Sequence, residues 1–292
     1  MPAPARATAK PASFDRSASV GGCPLFPSDN AWRRDVSHDP VDPNSANYVA
    51  SIGNSNVHPD FGSDPTYGIP YVVVPRTQSG VRINFTAYGA ESDPGPYPVP
   101  LNAPIESGSD HHVLAVQQGT CKLYEMYNAA PQSDHWNADS GAVFDLNSDK
   151  LRPAGWTSAD AAGLPILPGL VRRDEIATGA IDHALRFTAP RTQRGYVDPA
   201  RHFASSSTDA NLPPMGLRLR LKASFDLSGY HGASLIILRA LKKYGMILAD
   251  NGSSWYITGA TDTGWDDADL NQMKRVPGSA FEVVKHGTIH TS

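Results

Sequence analysis

Nowhere does the 292-residue chain hold the roughly 20 consecutive apolar residues of a membrane-spanning helix. Its most apolar stretch, residues 161–171, is interrupted by Gly163, Pro165, Pro168 and Gly169. A soluble protein with no membrane partner is expected. Positive charge is also short: 25 Lys and Arg stand against 29 Asp and Glu, and 18% of residues are charged where about 25% is usual. Binding driven by phosphate neutralisation is therefore excluded, and no nucleic-acid partner is expected. Cysteine is nearly absent. Cys23 and Cys121 form no C-x-x-C pair and cannot supply a four-ligand zinc site. In an exported protein they read as one disulfide tying the N-terminal segment to a central strand, and in a cytosolic one as two buried thiols. The common catalytic signatures are missing too: no G-x-S-x-G elbow, H-E-x-x-H helix, Walker loop or G-x-G-x-x-G fingerprint occurs, and no cofactor is implied.

What the chain does have is glycine and proline, 25 of each, with 40% hydrophobic residues. The first describes a loop-rich protein and the second excludes wholesale disorder. Residues 1–22, rich in Ala, Pro and Ser without the apolar centre of a signal peptide, read as a flexible arm. Residues 23–284 read as a single β-rich domain and residues 285–292 as a tail.

Short β-branched or alternating runs recur through the domain. Residues 69–75 and 81–87 are predicted to pair through a turn at Gln78-Ser79-Gly80, and residues 112–117 and 121–127 to form a hairpin closed near Gly119. Residues 142–146, 181–188, 217–225 and 281–284 read as further strands. Residues 246–249 and 254–258 are expected to pair through Asp250-Asn251-Gly252. Short helices are predicted over 170–177, over 233–244 and, capped by Trp265-Asp266-Asp267, through Leu270 and Met273. Strands at such spacing, with turns between them, predict an all-β or β-dominated fold, an antiparallel sandwich or jelly roll with a few short helices.

Carboxylates and histidines on strands, with aromatics in the loops between, are the equipment of a carbohydrate cleft. Glycoside hydrolysis needs two carboxyl groups, one protonated as acid and one ionised as nucleophile or base. Glu125 is the first candidate, because alternation sets it between Leu123 and Tyr127 on an otherwise apolar strand face. Asp145 and Asp226, each following a Phe at a strand end, are candidates for its partner. A polysaccharide lyase acting on a uronate-containing glycan would instead use Arg186 to neutralise the uronate, with His183 or Tyr124 taking the proton. Trp136, Trp156, Trp255, Tyr97 and His112 are candidate substrate contacts, which would equally serve a non-catalytic sugar-binding or cell-surface module. The Asp110-His111-His112 run is no metal site, since neighbouring strand residues face opposite ways. The expected partner is a polysaccharide or oligosaccharide, met outside the cell.

The run Leu151-Arg-Pro-Ala-Gly-Trp-Thr-Ser-Ala-Asp-Ala-Ala-Gly-Leu-Pro-Ile-Leu-Pro-Gly-Leu-Val171, with Asp250-Asn-Gly-Ser-Ser-Trp-Tyr256 downstream, resembles a family of exported microbial proteins described only as hypothetical. The resemblance spans about residues 23–284. It implies secretion and a single domain, and it transfers no catalytic residue.

Overall fold

The computed structural model describes residues 19–292; the greater part of the expected N-terminal arm, residues 1–18, lies outside them. Two short strands open the described chain, β1 (Ser19–Val20) and β2 (Cys23–Pro24), and helix α1 (Ser45–Ile52) follows. Next come β3 (His58–Asp60), β4 (Tyr71–Val74), β5 (Arg82–Phe85), β6 (Val113–Gln117), β7 (Lys122–Tyr127), β8 (Ala130–Pro131), β9 (His135–Ala138) and β10 (Ser140–Asp145). The second half holds α2 (Arg173–Thr178), β11 (Leu185–Ala189), β12 (Arg218–Leu221), α3 (Gly232–Lys243), β13 (Met246–Asn251), β14 (Tyr256–Thr258), α4 (Asp267–Leu270) and β15 (Phe281–Val283).

Strands predominate and helices are few and short, as the patterning predicts. The sheets are open and mixed in direction, so the expected antiparallel sandwich or jelly roll is not seen. One sheet has six strands in the order β15-β12-β13-β11-β14-β3, and a second has four, β10-β7-β6-β4. Four pairings are parallel: β11 with β13, β14 with β3, β4 with β6, and β5 with β9. The hairpin of β6 and β7 forms as predicted, Val113 opposite Met126 and Gln117 opposite Lys122. Two other expected hairpins do not form. β4 and β5 join different sheets, and β13 and β14 both lie beside β11 instead of pairing with each other.

Alternation builds two cores from the four-stranded sheet. Leu114, Val116, Leu123 and Phe144 enter the main core, while Val113, Ala115 and Met126 meet Tyr97, Val99 and Trp136 on the other side. The six-stranded sheet sends Leu219, Leu221, Leu185, Phe187, Met246, Leu248 and Ile257 to the main core as well. Helix α3 joins them with Ile237, Leu238 and Leu241, the residues its spacing places on one face.

Cys23 and Cys121 form a disulfide, their Cα atoms 5.2 Å apart, which ties β2 to the turn before β7. Residues 19–22 belong to this ordered hairpin and not to a flexible arm. The expected tail is also docked: His290 exchanges backbone hydrogen bonds with Tyr196 at 2.8 and 2.9 Å, and the two rings stack.

Candidate active site

Between the two large sheets runs an irregular segment, residues 157–171, in which every residue but Ala161 is buried. A buried segment without a ladder must find other partners for its backbone N–H and C=O groups. Polar side chains on the surrounding elements provide them. The Glu125 carboxylate accepts hydrogen bonds from the amides of Ile166 and Leu167 at 2.9–3.0 Å. Ser140 Oγ donates to the Ser158 carbonyl at 2.6 Å, and His112 Nε2–H donates to the Ala159 carbonyl at 3.0 Å. Gly169 lets the segment pass over the sheet, since a Cβ there would lie 2.9 Å from Cβ of Arg186 and 2.8 Å from the Trp32 ring.

This packing sets Asp160 on Arg186. The guanidinium meets the carboxylate through two bonds, Nε to Oδ2 at 2.9 Å and Nη2 to Oδ1 at 3.0 Å, and its Nη1 donates to Thr258 Oγ1 at 2.8 Å. Both partners of this forked pair are almost wholly buried. A second carboxylate completes the group: Asp250 Oδ2 lies 3.3 Å from Arg186 Nη2, within hydrogen-bonding reach of Asp160.

Asp250 reaches that position through an irregular register. β11 and β13 pair Arg186 with Ile247 and Phe187 with Leu248, then slip by one so that Thr188 pairs with Asp250. Paired residues of parallel strands share a face, so the slip turns Asp250 from the face of Phe187 to the face of Arg186. Thr258 and Asp60, partners across β14 and β3, continue the same row. The result is a polar row of Asp250, Arg186, Thr258 and Asp60 across the sheet.

Burial and then the charge of Asp160 push the Asp250 carboxyl up from 3.8 to about 7, with Arg186 offsetting only part of the rise. Asp250 therefore exchanges its proton near neutral pH. Behind it stands His112, whose Nδ1 is 2.6 Å from Glu106 Oε2. Burial alone would lower the affinity of this imidazole for its second proton, but the Glu106 bond and charge outweigh that and raise it. With acceptors on both nitrogens, His112 is a double donor.

Asp160 and Asp250 line a cleft of about 660 Å3. Tyr88, Asp110, Tyr127, Arg194, His202 and Phe203 share its walls, with Ser205, Ser206 and Asn251. Tyr127 feels the charges of both Asp110 and Asp250, which with burial raise its hydroxyl above the usual phenol value. Such a lining, one protonated acid among hydroxyls, amides and half-exposed rings, suits a polyhydroxylated ligand. Among the described residues no group of three or more His, Cys, Asp or Glu side chains is placed to hold a metal ion.

The residues expected from sequence are dispersed by the structure. Glu125 and Asp145 lie on opposite faces of their sheet, since Glu125 pairs with Ala142 and Asp145 with Lys122, an odd number of residues away. Asp145 is exposed and accepts from the Asn147 amide in a turn; Asp226 does the same for Ser228. The Glu125–Asp145 and Glu125–Asp226 pairs are thus not assembled into a cleft. Burial raises the Glu125 carboxyl from 4.5 to about 7, only partly offset by the Leu167 and Ile166 amides, so its environment is unusual but closed. His183 sits 2.9 Å from Glu175 and 2.8 Å from the Ala184 carbonyl, away from the cleft lining.

Tyr124, on the sheet face opposite Glu125, packs near Tyr97. Tyr97, Trp136 and Trp255 are fully buried, their polar atoms bonded to the carbonyls of Asp93, Val99 and Gly53, and they offer no surface to a sugar. His112 is likewise buried behind the cleft. Trp156 is half-buried with Arg152 over its ring, in a neighbouring depression with Asp93 and Lys122. Of the expected set, Arg186 alone belongs to the carboxylate group at the cleft floor. Asp160 and Asp250 escaped sequence reasoning, although Asp160 carries a signal. It is the one charge in the otherwise uncharged stretch 153–171, and a charge buried there must be paired.

No family model matches the chain, and no curated protein and no solved structure matches it.

Proposed function

We propose that the protein is an extracellular carbohydrate-active enzyme, a glycoside hydrolase whose general acid is Asp250. The observation that carries this reading is a carboxyl at the floor of a cleft, protonated near neutral pH because it is buried against a second carboxylate. Asp160 is an unsuitable nucleophile or base, being locked in two bonds to Arg186 and in contact with the acid itself. The carboxyl groups of glycosidases stand about 5 Å or more apart to hold the anomeric carbon or a water between them. Asp110, on the same cleft, is the carboxylate left for that role. Asp250 donates its proton to the glycosidic oxygen as the C–O bond breaks. Asp110 takes a proton from the water whose oxygen bonds to the anomeric carbon, and solvent restores both groups. Asp160 acts as the positioning residue that keeps Asp250 protonated, and Arg186 holds Asp160 in place.

The disulfide supports an oxidising compartment, as does the resemblance of residues 151–171 and 250–256 to exported proteins. No helix among the described residues is long and apolar enough to cross a membrane.

A panel of polysaccharides, followed at once for new reducing ends and for the ultraviolet absorbance of unsaturated uronides, tests the chemistry. Reducing ends without absorbance are expected, with turnover falling by about 10²–10⁴ in Asp250→Asn. Azide is expected to restore turnover to Asp110→Asn by replacing the activated water. Absorbance together with reducing ends refutes hydrolysis in favour of elimination. Binding of a polymer without any cleavage leaves a sugar-binding module.

A further inference from the structure

Two kinds of group line the cleft. One is the carboxyl groups of Asp160, Asp250 and Asp110. The other is a stack of rings and a cation on residues 194–203. Phe203 lies parallel to His202, with 9° between planes and 6.0 Å between centroids, and Tyr196 stacks behind Phe203 at 6.5 Å. The Arg194 guanidinium stands 5.9 Å over the Phe203 ring. Arg194 is exposed and forms no ion pair with any described carboxylate, whereas the neighbouring Arg201 is paired with Asp198 at 3.0 Å. Its backbone is held by a bond from its amide to the Ser207 carbonyl, and that of Gln193 by a bond to the Pro213 carbonyl. The cation is thus mounted on a fixed stretch of chain, with its five donors unclaimed by any described acid.

We propose that Arg194 binds the carboxylate of an acidic sugar, making the substrate a uronate-containing glycan; this deepens the hydrolase reading and rests on it. Three features argue for it. A planar guanidinium offers two parallel donors that match a carboxylate, as a lysine would not. The rings of His202 and Phe203 line the same cleft and offer a sugar apolar surface beside the guanidinium. Asp250 lines the same cleft, where it meets the glycosidic oxygen of the chain that Arg194 holds.

The test uses the full chain carrying Asp250→Asn, so that ligands are bound and not consumed. Oligomers of galacturonate, glucuronate and mannuronate are each titrated beside the same oligomer with its carboxyl groups reduced. At least one uronate is expected to bind ten-fold or more tightly than its reduced form, with affinity falling as salt rises. Adding Arg194→Gln removes that preference while leaving the affinity for the reduced oligomer unchanged. Lys122→Gln, the same charge change in the neighbouring depression, leaves the preference intact. Equal binding of charged and reduced oligomers, an unchanged preference without Arg194, or tighter binding of a sulfated polymer lacking uronate overturns the proposal.

The two readings fail separately. Cleavage of a neutral polymer by the wild-type chain, dependent on Asp250, keeps the hydrolase and removes the uronate. Uronate binding that requires Arg194, in a chain that cleaves nothing, does the reverse.

Discussion

Replacing Asp160 by Asn removes the like charge beside Asp250 and releases Arg186 to bond with it, and both changes favour the ionised form of Asp250. The rise of that carboxyl from 3.8 to about 7 corresponds to roughly 4 kcal/mol, with burial the larger contributor and Asp160 the next. Burial persists in the variant. The remaining effect, loss of a contacting anion and gain of an undivided guanidinium, is worth a fall of about 1–3 pH units. An enzyme whose acid must be protonated loses activity as pH rises through the pKa of that acid. The alkaline limb of kcat/KM, near pH 7 in the wild type, is therefore expected to move down by at least one pH unit. The carbon-13 shift of the Asp250 carboxyl, followed against pH, reports the same change without substrate. Removing one partner of a buried pair costs about 3–5 kcal/mol, reduced here by the new Arg186–Asp250 contact, so thermal unfolding is recorded alongside. An alkaline limb that stays in place or moves upward in a folded variant refutes the reasoning.

Glu125→Gln is expected to keep turnover, unlike Asp250→Asn, and to change the pH dependence of stability. The folded-state pKa of Glu125 is raised from 4.5 to about 7, so its contribution is present in full below 4.5 and lost as pH rises through 7. Denaturant titrations should show the wild type losing about 3 kcal/mol between pH 5 and 8 from this group, and the variant should lack that part of the slope. Changing Cys23 and Cys121 to Ser opens a constraint spanning 98 residues, which costs on the order of 4 kcal/mol and should appear as a lower denaturation midpoint. Gly245 adopts φ +70° between α3 and β13, where a Cβ would stand 2.2 Å from the Leu219 carbonyl oxygen. Gly245→Ala should cost more than about 2 kcal/mol by the same measurement, strain and collision adding together.

Much of the fold was legible where one face of an element alone decides its pattern. The hairpin of β6 and β7, the amphipathic run of α3 and the capped start of α4 within Trp265-Asp266-Asp267 all follow from local rules. Parallel neighbours were not legible, because pairing between distant segments such as β4 and β6 leaves no trace in either alone. The site was half legible. A carboxylate on the apolar face of β7 is unusual, and the sequence exposes that oddity in Glu125. What it hides is that a backbone without a ladder passes beside it, so the carboxylate serves two amides and not a substrate. The tryptophans misled for a related reason: polar surroundings in sequence are compatible with a ring that bonds one carbonyl and is otherwise enclosed. Asp250 was read as part of a tight turn, and only the slip beside Phe187 shows that it points inward.

That slip leaves one residue of β13 without a partner in the sheet and gives it a different task. Ala249, the residue passed over in the pairing, turns its carbonyl to the Ala162 amide at 2.9 Å and so also anchors the segment that carries Asp160. Removing Ala249 would leave every polar side chain of the site in the chain. Asp250 would then follow Leu248 directly, still paired with Thr188 and on the face of Arg186, while the carbonyl that moors the segment of Asp160 would be gone. A protein one alanine shorter would thus keep the acid on its face and lose an anchor of its neighbour.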